Sequence, residues 1–96
     1  MPVQNVRRIV RLAANPGAGA AMRTALIALQ HETVREAGCV EFEFLQSLLD
    51  DDAFVLIEDF QSAEALEAHM RAPHTTGFFE LKLMASGQPI DKIWMS

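Results

Sequence analysis

The chain has 96 residues, half of them apolar and 22% charged, which suits one globular domain over residues 1–96 and argues against disorder. Its formal net charge is −5 and no stripe of Lys or Arg stands out, so a nucleic-acid surface, which needs a basic footprint, is not expected. The single cysteine, Cys39, excludes an intrachain disulfide and a cysteine-based zinc cage.

The opening "MPVQNVRRIV" lacks the apolar centre of a signal peptide. No apolar run approaches the roughly 20 residues that a bilayer span needs. Neither a membrane nor a nucleic acid is therefore expected as a partner, and a cytoplasmic location is. From Val6 to Ala13, "VRRIVRLA" mixes β-branched residues with arginine and predicts a strand with one partly solvated face. "NPG" at Asn15 to Gly17 is a turn signal.

"AGAAMRTALIALQHETVREAG" predicts a long helix with Met22, Leu26, Leu29 and Thr33 on one buried stripe. Gly38 stands where a left-handed helix C-terminal glycine is expected. "CVEFEFLQSLL" alternates, with Val40, Phe42 and Phe44 on one face and Glu41 and Glu43 on the other, as a half-buried strand does. Asp50 to Asp52 read as a solvated hairpin loop, and "AFVLIEDF" as the returning strand.

Ser62 is a helix cap, with Leu66 and Met70 on the apolar face behind it and Pro73 as the limit. "TTGFFELKLMA" predicts a further short helix. "IDKIWMS" predicts a closing strand, with Ile93 and Met95 on one face and Trp94 on the other.

The predicted order, β-α-β-β-α-α-β, is that of an α+β, ferredoxin-like fold with a four-stranded antiparallel sheet and one extra helix before the last strand. Helices on one side leave the other sheet face open. That face is expected to carry aromatic and aliphatic side chains and to be covered by a second copy, giving a homodimer.

"REAGCVEFEFLQ" followed by "DAFVLIEDFQSAEALEAHMRAPHTTGFFE" resembles the antibiotic biosynthesis monooxygenase domain family. The order carries the likeness: an acidic residue and Gly-Cys after a helix, an aromatic-rich strand, "FVLIE", an "S-x-E-A-L-x-x-H" helix start, then "x-P-H". The resemblance implies a dimeric α+β barrel with a pocket between sheet and helices in each subunit. Its members include cofactor-independent quinol or polyketide monooxygenases, haem-degrading enzymes and an isomerase. The haem-degrading branch carries an Asn on the first strand, a Trp ending the third, and an axial His on the following helix. Here those places fall to Val10 or a neighbour, to Phe60 and to about Phe79, so haem oxygenation is not expected.

The activity implied is oxidation of a quinol or related small aromatic by dioxygen without a cofactor. The alternatives are an isomerase working by proton transfer and a non-catalytic ligand-binding dimer. An oxygenase of this type needs a dry pocket, a base and polar groups for the substrate anion. His74, at the family's "x-P-H", is the candidate base. His31, on the flank of the first helical stripe, is the second, since a histidine occurs near this place in isomerase-like members. His69 reads as a boundary residue, and with no third ligand at a recognisable spacing no metal site is expected. Phe42, Phe44, Phe60, Met70, Phe78 and Trp94 are the candidate substrate-binding residues. Cys39 reads as a small buried residue rather than a nucleophile.

Overall fold

The computed structural model describes residues 4–90. In chain order they form β1 (Val6–Ala14), α1 (Gly19–Thr33), β2 (Cys39–Gln46), β3 (Ala53–Phe60), α2 (Ala63–Arg71), α3 (Pro73–Glu80) and β4 (Met84–Pro89). The sheet is antiparallel in the order β2-β3-β1-β4, the ferredoxin-like arrangement expected from the element order. Among the described residues no helix is long and apolar enough to cross a membrane.

The register sorts the side chains between the two sheet faces. Arg8, Glu58 and Phe42 lie opposite one another, as do Val10, Leu56 and Phe44. These two rows, with Leu12 and Phe54, face the helices, where Met22, Leu26 and Leu29 of α1 and Phe78 of α3 complete the core. The alternate rows form the open face: Ile9 with Ile57 and Glu43, Arg11 with Val55 and Leu45, Arg7 with Asp59 and Glu41. The open face is thus aliphatic and charged. The aromatic side chains expected there lie under the helices, because strand alternation commits every second residue to one side.

Three boundaries differ from expectation. The first concerns α1, which ends at Thr33, whose hydroxyl donates to Leu29 O at 2.7 Å, and residues 34–38 leave the helix through turns closed by Arg35 N to Glu32 O and Glu36 N to Thr33 O. Gly38 is accordingly not a left-handed cap. A β-carbon there would collide with Ala65 Cβ, so the glycine is required for the close approach of α2. The second is the aspartate loop. Asp50 and Asp51 are exposed as expected, but Asp52 accepts hydrogen bonds from Gly17 N at 3.0 Å and Gly19 N at 2.9 Å, tying the end of the loop to the start of α1.

The third is the chain end. α3 stops at Glu80, and Lys82 takes a left-handed backbone (φ 54°) before β4 begins at Met84. Part of the predicted helix is therefore strand. "MASGQP" lacks apolar alternation and is rich in residues that sheets disfavour, yet Pro89 is tolerated on an edge strand. Pairing continues through Ile90 N to Ile9 O at 2.7 Å. Residues 91–96, and with them the predicted pattern of Ile93, Trp94 and Met95, lie outside the described residues.

Candidate functional site

Between the helix-facing side of the sheet and the three helices lies a cavity of about 220 Å³. Its walls are mainly apolar. Val10, Leu12 and Leu56 rise from the sheet, Phe42 and Phe44 from β2, Leu26 and Leu29 from α1, Met70 from α2, and Phe78 and Phe79 from α3. Few polar side chains reach it: Arg8, Glu58, His69 and Thr75.

His69 is the pivotal group. It is 3% exposed and packed between Phe42, edge to face at a ring-centre distance of 5.1 Å, and Phe60, tilted at 5.0 Å. Its Nδ1 stands 2.9 Å from Glu36 Oε2 and 3.3 Å from Thr75 Oγ1. The same Glu36 oxygen lies 2.6 Å from His74 Nε2. A buried imidazole beside a carboxylate donates its N–H to it, which fixes the tautomer. Nδ1 then carries the proton, and Nε2, which has no hydrogen-bond partner among the described residues, keeps its lone pair.

Local folding explains the convergence. Ser62 caps α2 by accepting from Ala65 N at 3.1 Å, which sets His69 in the last turn of that helix. Ala72 is extended (ψ 144°) and Pro73 starts α3. On an unbroken helix, residues five apart point roughly 140° away from each other. The break at Ala72 brings the His69 and His74 rings to 6.1 Å. Glu36 meets them only because α1 ends early.

The second polar feature is an ion pair. Arg8 Nε and a terminal nitrogen donate to Glu58 Oε2 at 2.9 and 2.6 Å, with Glu58 2% exposed. A buried carboxylate needs such a partner to remain charged. The pair gives the cavity a polar wall on the sheet side.

Of the residues singled out from sequence, Phe42, Phe44, Met70 and Phe78 line this cavity. Phe60 does not; it is fully buried behind Phe42 and His69. Trp94 lies outside the described residues. His74 borders a shallower groove with Leu29, Phe78 and Leu81 and reaches the cavity only through Glu36 and His69. His31 lies apart from both, on α1 beside Ile27, Gln30 and Val34. The structure therefore does not bring His31 and His74 together.

The sequence makes His69 a boundary residue and gives no site role to Glu36, Arg8 or Glu58. For His69 a signal existed: it is three residues from Leu66, on the apolar side of α2. The third member of the histidine cluster, Glu36, also changes the metal question, since Glu36, His69 and His74 place one donor atom each within 4.8 Å of one another. The Cys39 thiol is held above its ordinary pKa, first by burial and then by the negative charges of Glu36, Glu58 and Asp59. That keeps it protonated and a poor nucleophile.

Residues 5–81 match the family model described as antibiotic biosynthesis monooxygenase. No curated protein matches the chain significantly. Among solved structures, PA3566 from Pseudomonas aeruginosa superposes with a TM-score of 0.85 at 26% identity, over 94% of this chain and 93% of that one. Rv0793 from Mycobacterium tuberculosis gives 0.78 at 27% identity, over 91% and 93%. A protein from Nitrosomonas europaea assigned to the antibiotic biosynthesis monooxygenases gives 0.82 at 22% identity, over 94% and 89%. With the family model matched across most of its length, the chain belongs to the antibiotic biosynthesis monooxygenase family.

Proposed function

We propose that the chain is a cofactor-independent monooxygenase that oxidises a quinol or related small phenol with dioxygen in the cavity between sheet and helices. The observation that carries this reading is His69, buried at an apolar cavity with one ring nitrogen held by Glu36 and the other unpartnered among the described residues. A cavity of about 220 Å³ suits one or two rings, given that roughly 150 Å³ holds a benzene.

His69 Nε2 takes the proton of the phenol, and Glu36 stabilises the imidazolium that results. The phenolate passes one electron to dioxygen, and the radical pair joins at a ring carbon to form a C–O bond. The peroxide so formed takes a proton from His69. Loss of the ring carbon's hydrogen with cleavage of the O–O bond then gives a carbonyl and water. One oxygen atom stays on the substrate and the other leaves as water; the substrate supplies all four electrons. Arg8, partly neutralised by Glu58, is a hydrogen-bond donor for a second oxygen on the substrate.

The test is oxygen uptake by chelator-treated protein with a panel of reduced quinones and hydroxylated naphthalenes. The reading expects one dioxygen consumed per quinone formed, and no turnover under nitrogen. Conversion under nitrogen would favour isomerisation by the same base. Ligand-induced stabilisation without any conversion would mark a binding protein.

A further inference from the structure

We propose that Glu36 Oε2, His69 Nδ1 and His74 Nε2 form a binding site for a divalent transition-metal ion, with Zn²⁺ the best chemical match. Three donors from separate segments, the loop after α1, the end of α2 and the start of α3, meet with all donor atoms within 4.8 Å. Two imidazoles and one carboxylate favour zinc-like ions over Mg²⁺ or Ca²⁺, which prefer an all-oxygen shell. At metal–ligand distances of ~2.1 Å, tetrahedral ligands stand roughly 3.4 Å apart. The present separations of 2.9 and 2.6 Å from Glu36 Oε2 need to open by less than about 1 Å to reach this.

The means for that adjustment are present. His69 is locked between two phenylalanines, whereas the side chains of Glu36 and His74 are 18% and 22% exposed. An ion therefore reaches the site from the outer groove beside His74 without crossing the substrate cavity, and the fourth position is open to water.

Proton bookkeeping gives the site a consequence, which rests on the function proposed above. With His69 Nδ1–H donating to Glu36, Nε2 holds a lone pair and serves as the base. A metal on Nδ1 takes the lone pair there, so the single proton of the neutral ring sits on Nε2. His74 undergoes the reverse exchange, from Nε2–H to Nδ1–H. No net proton is released, but His69 changes from base to donor. Metal occupancy thus switches turnover off.

The experiment uses the full chain, chelator-treated, and titrates it with Zn²⁺ by calorimetry and Co²⁺ by absorption. We expect one ion per chain, with Glu36→Gln and His74→Ala each weakening binding by at least about tenfold and His31→Ala leaving it unchanged. Circular dichroism checks folding; His74→Ala, at a partly exposed position, carries the result if Glu36→Gln unfolds. Unchanged affinity in a folded variant, or no binding of either ion, overturns the site. ¹⁵N NMR of the His69 ring reads the tautomer without any substrate. Its Nε2 is expected to pass from unprotonated to protonated type on adding Zn²⁺, and no change overturns the switch. Neither readout depends on turnover, so failure of the oxygenase assay leaves both results decisive.

Discussion

At the level of single residues, the site depends on which nitrogen of His69 carries a proton. The Glu36 carboxylate accepts from Nδ1 at 2.9 Å, and only an acceptor there leaves Nε2 free to act as a base. Glu36→Gln is nearly isosteric but offers an N–H in place of a lone pair, favouring the wrong tautomer. We expect kcat to fall by ~10²–10⁴ with KM little changed, the range for losing a positioned base through its tautomer; steady-state kinetics on the folded variant checks this. The Cys39 thiol gives a second prediction. Its pKa is raised by burial and by Glu36, Glu58 and Asp59, so the thiolate becomes abundant only above the usual pH. Alkylation by iodoacetamide in the native protein should therefore rise with pH later than in the unfolded chain, measured by mass spectrometry at a series of pH values.

Among the elements, the ones with strong periodicity were legible from sequence. The Met22, Leu26, Leu29 and Thr33 stripe of α1 is buried as its spacing requires, and the Ser62 cap appears where expected. The alternation of β2 holds for Phe42 and Phe44 against Glu43, whereas Val40, beside the bulge between Cys39 and Glu41, is 51% exposed and leaves the expected face. Element ends were not legible, and the site depends on them. Glu36 lies in what reads as continuing helix, but local turns follow Thr33, and there the carboxylate meets histidines more than 30 residues away in sequence. β4 was hidden because an edge strand of small and polar residues has no apolar period. Two glycines test this view of the elements. Gly77, inside α3, has open space where a β-carbon would stand, whereas a β-carbon on Gly38 would run into Ala65. Gly77→Ala should stabilise by ~0.5–1 kcal/mol, and Gly38→Ala should destabilise by roughly 1–3 kcal/mol through overpacking. Urea unfolding of the two variants reads both.

For the whole molecule, one sheet face is closed by helices and the other is not. Ile9, Val55 and Ile57 on the open face are interleaved with Arg7, Arg11 and Glu43, while Arg7 bridges Glu41 and Asp59. Leu48 and Leu49 at the tip of the β2–β3 hairpin are 99% and 98% exposed. Half-buried aliphatic side chains on the open face, together with the two exposed hairpin leucines, favour a partner, and we propose that it is a second copy of the same face related by a twofold axis. We expect a homodimer in sedimentation velocity, and Ile57→Asp should shift it toward monomer; a wild-type monomer at high protein concentration would contradict this.

On the proposed function the cavity holds the substrate and His69 is its base. Oxygen uptake at saturating quinol, compared among His69→Ala, His74→Ala and His31→Ala, tests it most directly. We predict a loss of ~10²–10⁴-fold for His69→Ala, a smaller loss for His74→Ala, whose side-chain hydrogen bond goes to Glu36, and wild-type turnover for His31→Ala. Wild-type turnover in folded His69→Ala, or a larger loss in either of the other two variants, would contradict it.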